Sequence, residues 1–287
     1  MLGNCISVVS ASKALGAEII SLDIGRTLPD HLEQLLLKAW HDYGVIILRN
    51  QTLTKEGLIS FSTVFGAPEQ AAPQERALIV HAESREVMIV SNVVENGKPI
   101  GHLGNKEAYW HTDMCYMPVP PTASILYAIE VPKTGGDTCF MNMYTVYDRL
   151  PSELKTRVSN LSIKHDRSYT AVGDLRHGYD PVDDVSKSPG AVHPMVRRHP
   201  VTGRAALYLG RRLNAYVDGL PNAESEALLD ELWHYTADPD LVWRHQWRVG
   251  DIAIWDNRCV MHRRDAFDPD SRRIMWRTQM QADARGV

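Results

Sequence analysis

Trp110-His111-Thr112-Asp113 stands in the first half of the chain and His262 near its end, so any fold that uses them together must fold the two halves onto one another. In an extended backbone His111 and Asp113 project to the same side. A second imidazole arriving from a distant strand would close one face of a metal ion and leave the opposite face open. Two neutral imidazoles and one carboxylate with open positions are the facial ligand set of non-haem Fe(II) centres. A zinc hydrolase could use the same three side chains, so the triad alone does not fix the metal. The chain has twelve histidines, and one H-x-D tripeptide among them is also compatible with coincidence. The surrounding sequence has to decide.

The periodicity of the rest is that of β-structure with flanking helices. A helix is predicted over 30–42, where Leu32, Leu35, Leu36, Ala39 and Trp40 recur at helical spacing and Gly44 lies just beyond. Val45-Ile46-Ile47-Leu48 reads as a short buried strand, and Thr54 as the cap of a second helix ending at Gly66. Strands are predicted over 87–90, 123–131, 138–143, 205–209, 241–247, 250–256 and 274–280, and helices over 144–160 and 224–235. His262 falls at the end of a strand in this reading, and the three ligands come from two sheet edges. Residues 165–194 contain Gly173, Gly178, Pro181, Pro189 and Gly190 with weak periodicity; so long a loop is read as a lid over a site, or as a mobile excursion. No repeat or linker divides the chain, so residues 1–287 are read as a single domain. Helices around a mainly antiparallel core point to a two-sheet jelly roll, whose mouth suits a small molecule.

Composition excludes several functions. The net charge is −4 and no basic block occurs, which leaves no electrostatic footprint for nucleic acid. Cys5, Cys115, Cys139 and Cys259 are scattered, as expected of free thiols in a reducing compartment. No apolar run approaches bilayer thickness, and Met1–Cys5 shows no charged segment leading into an apolar one. A soluble cytoplasmic protein without membrane partners is expected.

Four ordered motifs carry a resemblance: W-H-T-D at 110–113, P-x-x-G-G-D-T at 132–138, G-D-x-x-x-W-D-N-R-x-x-x-H at 250–262, and the pair Arg273/Arg277. From about residue 44 to 279 the chain resembles the taurine and 2,4-dichlorophenoxyacetate dioxygenase family of Fe(II)/2-oxoglutarate enzymes, and most of all its aryloxyalkanoate-degrading branch. The resemblance implies a double-stranded β-helix, Fe(II) held by His111, Asp113 and His262, 2-oxoglutarate as co-substrate and O2 as oxidant. It implies Thr138 and Arg273 as the clamp on the distal carboxylate of 2-oxoglutarate. A planar guanidinium suits that task because it grips a carboxylate through two parallel hydrogen bonds.

For the primary substrate, a small anionic organic molecule, the resemblance implies Arg277, with a salt bridge to an acidic neighbour as the plainer reading. His81, in His81-Ala82-Glu83, looks like the sulfonate-binding histidine segment of the taurine branch. Met114 either lines the pocket or packs in the core, and His199, which matches a histidine position of the phenoxyacetate branch, reads as a structural or surface histidine. Trp110 and Trp255 read as wall and core aromatics. Asp256 and Asn257 shape a strand end or brace a ligand from behind. Cys115 and Cys259 flank the metal segments but are not ligands in the family pattern. Because Asp113 is present, hydroxylation is favoured over halogenation. An alkylsulfonate or an N-acyl amino acid is the alternative substrate class; a divalent-metal hydrolase and a non-catalytic binding protein are the competing functions. A homo-oligomer is compatible with the resemblance, with no interface legible.

Overall fold

The computed structural model describes residues 6–70 and 84–281. Two facing sheets form its centre. Their strands are β1 (Ser7–Ser10), β2 (Ala17–Ile20), β3 (Val45–Leu48), β4 (Met88–Ser91), β5 (His102–Leu103), β6 (Ala108–His111), β7 (Ala123–Glu130), β8 (Thr138–Asn142), β9 (Val242–His245), β10 (Ile252–Asp256), β11 (Val260–Arg264) and β12 (Ile274–Met280). The larger sheet has eight strands in the order β1-β2-β3-β10-β7-β12-β4-β5, and the smaller has four, β9-β8-β11-β6. Neighbours are antiparallel except β2 with β3 and β4 with β5. This is a double-stranded β-helix with flanking helices, as the sequence pattern predicts. Among the described residues no helix is long and apolar enough to cross a membrane.

The larger sheet is covered on both faces, which is why β3 reads as an unbroken apolar run. Val45 and Ile47 join Leu126, Ala128, Ala253, Trp255 and Met275 in the core toward the smaller sheet. Ile46 and Leu48 join Ile125, Tyr127, Ile252 and Ile254 on the opposite face, beneath helices α1 (Asp30–Tyr43) and α2 (Lys55–Ser62). Gly44 closes α1 with φ of 71°, donating its N–H to Trp40 O, and Thr54 caps α2 by accepting from Gly57 N–H. Both ends are where the sequence placed them.

Three expectations are corrected. The helix expected over 144–160 is two, α3 (Met143–Arg149) and α4 (Ser152–Val158). The residue before a proline is driven out of the helical region, and Leu150 accordingly takes ψ of 139° before Pro151. His262 lies inside β11, not at the end of a strand. The triad does not come from two sheet edges either: β6 and β11 are neighbours in one sheet, with His111 and His262 directly opposed.

Residues 165–194 are partly ordered by pairing, with Val192–Pro194 alongside Ser162–Lys164. The segment lies against both flanks of the His111–Asp113 stretch. Tyr109 N–H donates to Ala171 O at 2.9 Å and Ala191 N–H to Tyr116 O at 3.0 Å. Arg211 holds it from beneath, donating through Nη1 to Tyr169 O and Thr170 O and through Nη2 to Asp166 O.

Candidate active site

Antiparallel register sets the inner face of the smaller sheet in rows, because directly opposed residues share a face. One row crosses the four strands as Trp243, Phe140, His262 and His111. The next, two residues along, is His245, Thr138 and Arg264, with a bulge on β6 bringing Ala108 into line. From the larger sheet, alternation along β12 turns Met275, Arg277 and Gln279 toward these rows, with Arg273 immediately before them.

The sequence-predicted triad assembles in the first row. Metal-ligating atoms of His111, Asp113 and His262 lie within 4.8 Å of one another, among buried surroundings. His111 Nδ1 donates to Tyr109 O at 2.7 Å, which fixes the tautomer and leaves the Nε2 lone pair facing Asp113. Asp113 Oδ1 lies 3.7 Å from His111 Nε2 and 3.9 Å from His262 Nε2. Its Oδ2 accepts from Ser124 Oγ at 2.7 Å. Ser124 in turn accepts from Asn257 Nδ2 at 2.9 Å, and Asn257 Oδ1 accepts from Trp255 Nε1 at 3.0 Å. This buried chain fixes the carboxylate so that one oxygen remains for a metal. Asn257 therefore braces the ligand, and Trp255 is a core aromatic, both as expected.

Protonation states agree with metal binding. Burial pushes the Asp113 carboxyl up, but Arg277, His262 and His111 outweigh it and hold the group well below the ordinary carboxylate range. Burial, with help from His111 and Arg277, pulls His262 down to about 3. A carboxylate and neutral imidazole are the forms a divalent ion requires, so the donor set fits Fe(II).

The proposed clamp residues are also buried, Thr138 at 2% exposure and Arg273 at 1%. Thr138 Oγ1 accepts from Trp247 Nε1 at 3.0 Å, leaving its own O–H to donate. Arg273 Nε and Nη2 are buried without a hydrogen-bond partner among the described residues. Desolvation, reinforced by neighbouring Arg264, lowers this arginine to about 9. A guanidinium keeps its proton in proteins, so this is a buried positive charge that an anion would stabilise. Gly136 takes a φ of 68°, which favours glycine, and lies against the clamp: a Cβ there would stand 3.3 Å from Pro132 Cγ and 3.4 Å from both Arg273 Nε and Phe267 Cδ1. The residues fit a bound carboxylate.

Arg277 Nη1 donates to Asp113 Oδ1 at 3.3 Å, Nη2 reaches Met88 Sδ at 3.1 Å, and Nε has no hydrogen-bond partner among the described residues. It thus stands beside the triad with donor capacity left over, while the salt bridge to an acidic neighbour is also present. Met114 follows Asp113 in a left-handed conformation, φ 49°, and is partly buried. His81 lies outside the described residues. His199 is structural: its Nδ1 accepts from Val201 and Thr202 N–H, so Nε2 donates to Asp256 Oδ2 at 2.9 Å. Sequence reasoning missed Ser124, Trp247 and Arg264. Only Arg264 left a usable signal, since it stands two residues after His262 and must share its face.

A double-stranded β-helix with two histidines and a carboxylate on its inner face defines a class, the metal-dependent oxygenases of this fold. The chain belongs to the family described as "Taurine catabolism dioxygenase TauD, TfdA family", which matches residues 8–279. It is 32% identical over 260 residues to the (S)-phenoxypropionate/alpha-ketoglutarate-dioxygenase of Sphingobium herbicidovorans, covering 86% of this chain and 85% of that one. It is 31% identical over 283 residues to the alpha-ketoglutarate-dependent 2,4-dichlorophenoxyacetate dioxygenase of Cupriavidus pinatubonensis, covering 94% and 95%. Its fold is similar to that of AAD-2 in complex with Mn(II) and N-oxalylglycine, with TM-score 0.79, 26% identity and coverage of 99% and 100%. The protein is an Fe(II)- and 2-oxoglutarate-dependent dioxygenase, an oxidoreductase that consumes O2.

Proposed function

We propose that His111, Asp113 and His262 hold the iron, that Thr138 and Arg273 hold the distal carboxylate of 2-oxoglutarate, and that the substrate is a small aryloxyalkanoate. The observation that carries the reading is one continuous inner face. It ends at one side in three clustered metal donors and at the other in a buried guanidinium that, among the described residues, has no counter-anion. The substrate class is supported by the phenoxypropionate- and dichlorophenoxyacetate-directed relatives and by Arg277 beside the triad.

Iron and 2-oxoglutarate, when bound, supply with O2 the chemistry that turns a substrate C–H into C–OH as the oxo acid becomes succinate and CO2. The chain's own residues do the rest. Thr138 donates its hydroxyl hydrogen and Arg273 its Nε–H and Nη2–H to one carboxylate, which fixes the co-substrate along the β8–β11 face. Arg277 offers Nε–H to the substrate carboxylate, Met88 beside it adds apolar surface, and Met114, next to Asp113, lines the substrate pocket. Residues 165–194, held against the segment bearing His111 and Asp113, exclude water as a lid, and the chain works as one catalytic domain. Hydroxylation at a carbon bearing an aryloxy group gives a hemiacetal-type product, whose collapse releases the phenol and leaves a carbonyl.

The test is succinate release and phenol formation with phenoxypropionate enantiomers, 2,4-dichlorophenoxyacetate, taurine and an N-acyl amino acid, beside Arg277→Gln. Turnover of an aryloxyalkanoate, lost in Arg277→Gln through a raised KM, is the expected result. Turnover confined to taurine would replace the substrate reading with the alkylsulfonate one.

A further inference from the structure

Arg264 has no role in the site as described so far, yet its position is unusual. It is 6% exposed, and its Nε is buried without a hydrogen-bond partner among the described residues. Its Nη2 donates to two main-chain carbonyls, Leu103 O (3.1 Å) and Lys106 O. Those neutral acceptors fix the guanidinium plane but supply no charge. Its guanidinium carbon lies 5.4 Å from the centroid of the Phe267 ring, and that of Arg273 lies 6.0 Å from the same ring. Two buried arginines thus flank one phenyl ring, and among the described residues neither forms an ion pair. Burial lowers Arg264 to about 10, with no acidic group opposing. An isolated buried charge is strongly unfavourable, and two neighbouring like charges are worse.

Register says where this charge is directed. Arg264 is directly opposed to Thr138 across the β8–β11 pair and stands two residues from His262 on the same face. Two residues of strand span roughly 6.8 Å. Thr138 therefore has Arg264 opposite it in its own sheet, while Arg273 comes from the other sheet, its Nε 3.4 Å from where a Cβ on Gly136, two residues before Thr138, would stand.

We propose that Arg264 is a second arginine of the co-substrate site, reading the distal carboxylate of 2-oxoglutarate together with Arg273 and Thr138. The inference rests on the assignment of Thr138 and Arg273 above and adds a residue to it. Its consequence is selectivity: two guanidinia against one carboxylate penalise a 2-oxo acid that carries a methyl group at that end. A role confined to stapling residues 103–106 would need only a neutral double donor, and the buried charge would be unexplained.

The experiment is calorimetric titration of the Mn(II)-loaded protein with 2-oxoglutarate and with 2-oxopentanoate, which lacks the distal carboxylate. Arg264→Gln should lower the preference for 2-oxoglutarate about tenfold or more, with 2-oxopentanoate affinity nearly unchanged. Arg264→Lys, which keeps the charge, should recover part of the preference. Unchanged binding of both acids, or equal weakening of both, would overturn the proposal and leave Arg264 as a staple. Should Arg264→Gln fail to fold, Arg273→Gln decides the matter. A residual preference above about fivefold supports Arg264, and a preference reduced to none refutes it. No preference in the unaltered protein would instead sink the underlying assignment of the clamp.

Discussion

Replacing Arg273 by methionine should move stability and co-substrate affinity in opposite directions. The side chain is 1% exposed and two of its nitrogens, Nε and Nη2, have no hydrogen-bond partner among the described residues. Without an anion, a buried guanidinium costs several kcal/mol of lost hydration. The Phe267 ring, with its centroid 6.0 Å away, returns about 0.5–2 kcal/mol of that. Methionine keeps much of the packing and removes both the charge and its repulsion with Arg264. The metal-free, ligand-free variant should therefore gain about 1–2 kcal/mol, raising its Tm by roughly 2–6 °C in a chain of this size. Binding should change the other way. Hydrogen bonds from a charged donor contribute about 1.5–3 kcal/mol each, and discounting the pair to about 2–4 kcal/mol predicts roughly 30- to 1000-fold weaker 2-oxoglutarate binding. The assay is thermal unfolding with and without 2-oxoglutarate, joined to calorimetry on the Mn(II)-loaded protein. A variant that is less stable and yet binds 2-oxoglutarate normally would show Arg273 to be a structural residue, and the reasoning would be wrong.

Ser124→Ala removes the hydroxyl that holds Asp113 Oδ2 and strands the Asn257 amide; metal affinity should fall about 10–100-fold and stability by about 1–3 kcal/mol, as read by metal titration and urea melts. Gly136→Ala and Gly203→Ala both force a side chain onto positive φ, 68° and 69°, at about 1–2 kcal/mol each. Only Gly136→Ala places its strained backbone and new methyl in contact with Arg273, since a Cβ at Gly203 meets nothing within 4 Å. Only Gly136→Ala should therefore weaken 2-oxoglutarate binding, and equal binding losses in both variants would contradict the clamp geometry. His165, His245 and His262 are all lowered, chiefly by burial, so the unfolded chain binds more protons than the folded one below pH 6.5. Stability of the metal-free protein should then fall as pH drops from 7 to 5, each group contributing up to about 1.4 kcal/mol per pH unit; the lowered Asp113 and Asp256 act only nearer pH 4 and below. A flat profile in urea melts between pH 5 and 7 would refute this. Anaerobic addition of 2-oxoglutarate to the Fe(II)-loaded protein should give a visible charge-transfer band that disappears in His111→Ala, and a band persisting in that variant would remove His111 from the ligand set.

The sequence by itself determined the elements whose signal is local. Gly44 and Thr54 marked helix ends because a left-handed cap and a side-chain acceptor are properties of single residues. The continuous apolar run Val45–Leu48 marked a strand buried on both faces, and ordered motifs named His111, Asp113, His262, Thr138 and Arg273 before any geometry was known. The Tyr144–Asn160 stretch was misread for an equally local reason, the effect of Pro151 on Leu150, which periodicity alone does not weigh.

Only the tertiary structure decided what depends on strand register. That His111 and His262 are opposed on adjacent strands of one sheet follows from pairing, which relates residues far apart in the chain. Ser124 and Trp247 carry no spacing relation to the residues they hold and become legible only when β7 and β9 take their places. Arg264 stood two residues from a recognised ligand, and parity alone placed it on the inner face. Its burial beside Arg273 without a counter-charge is set by the packing of the two sheets, because desolvation depends on everything that surrounds a group and not on its neighbours in sequence.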